Sequence, residues 1–257
     1  KNSSFNAGVD NTHLLLLEKE IDLLRSLSHP HIVRYYGFTV EGSKVNIILE
    51  YVSGGSISKN LDTFGAFNEN HVRRYTIQIL QGLDYLHGNN VLHRDIKGAN
   101  ILVENSGRVK LSDFGASKLV QNLASATAST STGLKGTIPW MSPEVVKGQS
   151  VDRKADIWSL GCTVVEMLTA KVPWTYCDEK GMCDDGQQDG SGWPYSLLYK
   201  IGVSEGGPPY PSSVSADLKH FLSLCFQRDP KARPTAAELL SHPFISPPSA
   251  PAASRTN

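Results

Sequence analysis

HRDIKGAN, residues 93–100, places the carboxylate of Asp95, the ammonium of Lys97 and the amide of Asn100 on one short stretch of chain. Phosphoryl transfer uses those three groups. A carboxylate orients an acceptor hydroxyl and takes its proton, a cation offsets charge on the moving group, and an amide oxygen helps to hold Mg2+. Eighteen positions after Asp95 stands Asp113-Phe114-Gly115, with the strand-like segments ILV and VKLS between. Met141-Ser142-Pro143-Glu144 and the segment from Asp156 through Trp158 to Gly161 follow. Each motif has a bland reading of its own: a polar loop for His93-Arg94-Asp95, a simple turn for Asp113-Phe114-Gly115, two surface charges for the Pro-Glu motif and a helix cap for Asp156. Their joint order and spacing carry the reading.

Around this centre the pattern is of strands first and helices after. HLLLLEKEIDLLRSL carries Leu16, Leu17, Ile21, Leu24 and Leu27 at helical spacing, and the following Ser-His-Pro ends that helix. Arg34 to Val40 and Val45 to Val52 read as two strands about the Glu41-Gly42-Ser43 turn. HVRRYTIQILQGLDYLHGNN reads as an amphipathic helix with Gly88 at its C-cap. VLH, ILV and VKLS read as short strands, IWSLGCTVVEMLTA as a buried helix, and ADLKHFLSLCFQ and TAAELLSH as the last helices. Residues 1–12 are polar and turn-rich, and 121–135 form a Ser/Thr/Ala-rich loop. Residues 177–192 are expected to be a disordered surface insertion, and the 246–257 tail is low in complexity.

Composition narrows the function classes. The 25 basic and 25 acidic residues balance, which argues against a general nucleic-acid or membrane-surface binder. There is no signal-peptide pattern, and no apolar run reaches the roughly 18 residues that a spanning helix needs. The expected setting is cytoplasmic. Cys162, Cys177, Cys183 and Cys225 form no zinc pattern and are expected to be free thiols, a Cys177–Cys183 pair being the alternative.

Taken together, the motifs resemble the protein-kinase superfamily over roughly residues 14–245. The resemblance implies an α+β, two-lobed fold with a truncated N-terminal β lobe. It places a partial N-lobe at 1–52 and a mostly helical C-lobe at 53–245. It implies ATP and Mg2+ as cofactors, with Asp95 as base, Lys97 stabilising charge, and Asn100 and Asp113 as metal ligands. Lys97 and Gly136-Thr137 look like the serine/threonine branch, in which Thr137 would bond Asp95 and Lys97. Glu20 matches the glutamate of the N-lobe helix, Leu49 the gatekeeper, and Glu50 to Val52 the hinge. Ser56 and Leu102 complete the expected nucleotide pocket. Leu24, Tyr35, His93 and Phe114 match the family's stacked hydrophobic spine. Glu144 would pair with Arg233, and Asp156 would bond the backbone of residues 93–100, which match the family's catalytic loop. Arg94 matches an arginine that binds an activation-loop phosphate in such kinases, with Ser125, Thr127, Ser129, Thr130, Ser131 and Thr132 as candidate acceptors.

EIDLLRSLSHPHIVRYYG, ILEYVSGGSI, HRDIKGANILV, DFGASK and GTIPWMSPEVV look like MAP kinase kinase kinases of the Ste11/MEKK group. That group implies a MAP kinase kinase as protein substrate, with upstream activators or a scaffold. The family's G-x-G-x-x-G loop and Val-Ala-x-Lys strand do not occur here. Lys1 precedes Glu20 by nineteen positions, within the family's range for the ATP-positioning lysine, so it reads either as that lysine or as a terminal residue. Two functions follow: an active kinase whose domain is N-terminally incomplete, or a truncated kinase-like protein acting as a non-catalytic interaction module. The intact Asp95, Asn100 and Asp113 favour the first.

Overall fold

A computed structural model describes residues 2–4, 24–41, 44–114, 137–149, 152–177 and 193–246. The expected helix before Leu27 is seen only at its end, Leu24 to Ser26; Lys1, Glu20, the 121–135 loop, the 178–192 segment and the tail from 247 lie outside the described residues. The fold is α+β, and the strands come first. β1 (Asn2–Ser4), β2 (Tyr35–Glu41) and β3 (Lys44–Leu49) form an antiparallel sheet in the order β1-β3-β2. Register is set by Tyr35 opposite Leu49 and Phe38 opposite Ile47, with an irregularity between Tyr35 and Gly37. β1 shows that the polar first residues pair with β3 although they carry no strand-like alternation.

The second part is helical. α1 (Ile57–Phe64) was not legible in the sequence, because only Ile57 and Leu61 are buried along it and two residues make no periodic signal. Its start is fixed by the Ser56 hydroxyl, which accepts from Lys59 N. α2 (Glu69–Gly88) is the expected amphipathic helix, with Val72, Ile79, Leu80, Leu83 and Leu86 fully buried. Its N-cap is Asn68, whose side chain accepts from His71 N, and Glu69 favours the positive end of the helix. The helix ends one residue later than Gly88 implied, on Asn89, and Asn90 takes the left-handed turn at φ 57°.

β4 (Ile101–Val103) and β5 (Val109–Leu111) pair as a hairpin, whereas VLH at 91–93 forms no strand. α3 (Pro143–Val146) is a single turn. α4 (Arg153–Thr169) buries residues on every side, from Ala155 to Met167, as a helix central to its lobe must. Its N-cap is Asp152, whose carboxylate accepts from Lys154 N, so Asp156 is not the cap and is released for another partner. α5 (Trp193–Val203) also escaped the sequence reading. Leu197 and Ile201 are buried while Tyr195, Tyr199 and Val203 are exposed, so apolar residues mark both faces. α6 (Ala216–Cys225) packs on α4, and α7 (Ala236–Leu240), closed by a Thr235/Glu238 capping box, packs on α2. Gly161 permits the α4–α6 approach. A Cβ there would stand 2.7 Å from the Phe226 ring and 2.9 Å from the Cys225 Cβ.

Cys162 and Cys225 are free and buried. Cys177 is disulfide-bonded, which corrects the free-thiol expectation for that residue.

His242 gives this lobe a sensitivity to acid. Its Nδ1 accepts from Phe244 N at 3.1 Å, and its Nε2 meets His220 Nδ1 at 2.8 Å. With Nδ1 accepting, the neutral tautomer carries its proton on Nε2 and donates to His220. Burial, then the His220 ring, hold the His242 pKa below its ordinary value, and Asp217 opposes them in part. A depressed folded-state pKa favours the neutral ring, so this stability is complete above about pH 6.5 and is lost as pH falls toward the folded value. Urea unfolding at pH 7.5 and 5.5 should therefore show a larger loss in the parent than in His242→Gln. Equal losses would remove the assignment.

Candidate active site

The catalytic loop is pinned from below before any reacting group is placed. Asp156, 2% exposed on α4, accepts from His93 N at 3.0 Å, Arg94 N at 2.8 Å and His87 Nε2 at 2.8 Å. Burial pushes the Asp156 carboxyl up, but the His87 bond and its charge prevail and hold it below the usual carboxylate range. The loop needs this anchor because Arg94 sits in left-handed backbone at φ 66°, a conformation that costs a bulky residue about 1–3 kcal/mol. His87 was not singled out from sequence. Its only signal was its place at the end of the amphipathic helix, 69 positions from its partner.

Above the anchor, four side chains converge. Lys97 Nζ lies 2.8 Å from Asp95 Oδ2, and Asn100 Nδ2 donates to the same oxygen at 2.7 Å and to the Asp95 carbonyl at 2.9 Å. The Thr137 hydroxyl donates to Asp95 Oδ1 at 3.2 Å and accepts from Lys97 Nζ. Asp95 and Lys97 remain partly open, at 24% and 19% side-chain exposure, so an acceptor can reach them. Asn100 commits its NH2 to Asp95, which turns its amide oxygen to other work. The Asn100 carbonyl accepts from both Ser112 N and Ser112 Oγ at 2.9 Å, joining the loop to the strand that leads into Asp113. Asp113 itself stands in left-handed backbone, at φ 62°.

Phe114, fully buried, lies between Tyr35 of β2 and His93. Its ring lies 5.3 Å from Tyr35 and 6.0 Å from His93, and Tyr35 OH donates to the Phe114 carbonyl at 3.1 Å. Leu24, Tyr35 and His93 are also buried. Burial, with the nearby Asp113 charge, pushes the Tyr35 phenol well above its usual pKa, so the phenol stays protonated and donates.

The expected nucleotide pocket is built differently from side to side. Leu49 ends β3, and Glu50 and Val52 follow it, all partly buried. Ser56 and Leu102 meet through a backbone bridge, and the Ser56 hydroxyl is taken by the α1 cap. The Glu50 carboxylate turns to Lys110, with Nζ at 2.8 and 3.0 Å, and also accepts from Arg34 N at 3.1 Å. Lys110 is 7% exposed and was not singled out from sequence, since sixty positions separate it from Glu50. Burial opposes ionisation of Glu50, and Lys110 more than offsets it, holding the carboxyl low. Glu144 and Arg233 form a two-pronged pair at 2.8 and 3.2 Å, Arg233 being fully buried.

Among the described residues, no cluster of three or more His, Cys, Asp or Glu could hold a metal ion, and no helix is long and apolar enough to cross a membrane. A family profile described as "Protein kinase domain" matches residues 7–245. The chain is 49% identical over 234 residues to "Mitogen-activated protein kinase kinase kinase 2" of Arabidopsis thaliana, covering 91% of this chain and 34% of that protein. It is 48% identical over 232 residues to "Mitogen-activated protein kinase kinase kinase A" of Dictyostelium discoideum, covering 90% of this chain and 23% of that protein. It is 44% identical over 233 residues to "Mitogen-activated protein kinase kinase kinase 3" of Mus musculus, covering 89% and 34% respectively. The chain thus spans about a third or less of the length of these relatives. A profile that covers most of the chain, the packing of Phe114 against Tyr35 and His93, and a loop organised around Asp95 agree: the chain belongs to the protein kinase domain family.

Proposed function

We propose that the protein is an ATP-dependent protein serine/threonine kinase of the MAP kinase kinase kinase kind, which phosphorylates a downstream MAP kinase kinase. The observation that carries this reading is the convergence of Lys97, Asn100 and Thr137 on the Asp95 carboxylate. Asp95 orients a Ser or Thr hydroxyl and takes its proton as the γ-phosphoryl passes from ATP to the hydroxyl oxygen and ADP leaves. Lys97 offsets charge on the moving group. Thr137 holds Asp95 and Lys97 at fixed separation. The amide oxygen of Asn100 and the carboxylate of Asp113 are hard oxygen donors of the type Mg2+ takes, and Ser112 ties their two segments together. When bound there, the cation neutralises charge on the phosphates.

Leu49 acts as gatekeeper, the backbone of Glu50 to Val52 meets adenine, Leu102 lies beneath it and Ser56 borders the pocket. Glu50 commits its N–H to the Arg34 carbonyl at 2.8 Å, so its own carbonyl is the group it has for the nucleotide. Glu20 is the glutamate of the ATP-positioning pair in this reading, and Lys1 is the candidate for its lysine. Residues 1–52 contribute to the strand-rich lobe and 53–245 make the helical lobe. Upstream activators or a scaffold join the substrate as partners in the cytoplasm, and neither nucleic acid nor membrane is required.

The test is Mg·ATP-dependent phosphorylation of a protein substrate on Ser or Thr, with a thermal shift on Mg·ATP as the binding readout. Asp113→Asn should lower activity at least about 10²-fold, the scale of losing preorganised charge stabilisation. Activity that persists in Asp113→Asn would remove the metal role. A folded protein that neither shifts with Mg·ATP nor transfers phosphate would overturn the kinase reading in favour of an interaction module.

A further inference from the structure

Glu166 lies on α4, only 6% exposed, and the chemistry above does not use it. Its Oε2 accepts from Gly98 N at 2.9 Å and from Trp140 Nε1 at 3.1 Å, and its Oε1 accepts from Ser58 Oγ at 2.7 Å. One carboxylate therefore joins four pieces of chain: α1, α4, the catalytic loop and the segment that follows Thr137. Gly98 adjoins Lys97, and Trp140 stands three residues after Thr137. The same two segments already meet at Asp95, through Lys97 and Thr137. They are thus held at two points, one at the reacting groups and one beneath them.

The second point is tightly built. A Cβ on residue 98 would stand 2.5 Å from Glu166 Oε1 and 2.8 Å from Ser58 Oγ, so only glycine lets the loop come this close. Trp140 is seated independently: its carbonyl accepts from Ser159 Oγ at 2.8 Å, and Trp174 Nε1 donates to the Pro139 carbonyl at 3.1 Å. Burial pushes the Glu166 carboxyl above its ordinary pKa, while the Gly98, Ser58 and Trp140 donors and the Lys97 charge pull it back.

We propose that Glu166 is a positioning residue for phosphoryl transfer, its one buried carboxylate fixing the Gly98 backbone and the Trp140 indole together and so setting how Lys97 and Thr137 meet at Asp95. This rests on the kinase reading, because Glu166 acts through Asp95 and Lys97. Geometry does the work, so glutamine is a suitable replacement. Its amide oxygen can take both the Gly98 and Trp140 hydrogens, and its NH2 can face Ser58, whose hydroxyl rotates to accept.

Three variants of the full protein test the idea: Glu166→Leu, Glu166→Gln and Trp140→Phe. Glu166→Leu should lower kcat at least about tenfold, since displacement of about 1 Å at a reacting group costs up to about 100-fold. KM for Mg·ATP should stay within about twofold, and Glu166→Gln should recover kcat to within about threefold of the parent. Hydrogen exchange in the peptide 93–100 should rise about tenfold in Trp140→Phe, because the seated indole no longer fixes the orientation of the carboxylate that holds Gly98 N. A parental kcat in Glu166→Leu, or equal damage from Gln and Leu, would overturn the proposal, and so would unchanged exchange in Trp140→Phe. If Glu166→Leu does not fold, Trp140→Phe decides through both kcat and exchange. If the parent itself transfers no phosphate, the kinase reading has failed, and exchange alone decides whether Glu166 couples the two segments.

Discussion

Asp95→Asn should abolish most phosphoryl transfer, lowering kcat by about 10²–10⁴-fold, the range attributed to a positioned general base. The expectation rests on what asparagine keeps and what it loses. The side chain has the same shape, so contacts to Lys97, Asn100 and Thr137 remain within reach. One oxygen becomes an NH2, and that group cannot accept from Asn100 or Thr137 or take the acceptor's proton. The loop backbone should not move, because His93 and Arg94 are held by Asp156 rather than by Asp95. KM for Mg·ATP should therefore change by less than about threefold while kcat falls, the pattern of an interaction made in the transition state. Steady-state kinetics on parent and variant check this. A fall in apparent ATP affinity with kcat intact would assign Asp95 to nucleotide binding instead.

Glu144→Ala should cost about 3–5 kcal/mol of stability, because it leaves the Arg233 guanidinium buried without its counter-charge. Arg233 is fully enclosed, stands over the Trp158 ring at 5.3 Å and donates to the Lys154 and Gln227 carbonyls. It cannot swing to water without opening the contact between α4 and the chain after α6. Replacing both partners should cost far less than either single change, since no charge then remains buried. Urea unfolding of Glu144→Ala, Arg233→Met and the double variant makes the comparison. Single losses under about 1 kcal/mol would show that water reaches the pair.

The same pair adds an acid limit. Burial raises the Glu144 carboxyl, Arg233 outweighs it, and the folded pKa lies below the ordinary carboxylate value. Stability from this group is complete above that ordinary value and disappears as pH falls through the folded one.

Much of the site was legible because its chemistry is local. Asp95, Lys97 and Asn100 lie within six consecutive residues, and the geometry of so short a loop brings them together. α2 and α4 were legible because each buries enough apolar side chains to mark a face or a whole helix. α1 and α5 were not, because capping by Ser56 and packing of Leu197 and Ile201 decide them rather than a periodic pattern. Asp156 was expected to bond the catalytic-loop backbone, with a helix-cap role compatible; Asp152 holds the cap, and Asp156 accepts from His93 N and Arg94 N.

The sequence by itself determined the kinase family, the loop that carries Asp95 and the order of strands before helices. These depend on residue types at short, fixed intervals. Only the tertiary structure decided which buried polar groups answer one another. His87 meets Asp156 across 69 positions, Lys110 meets Glu50 across 60, and Glu166 meets Gly98 across 68. The physical reason is that a buried polar group must find a partner wherever packing brings one, and sequence distance places no limit on that choice.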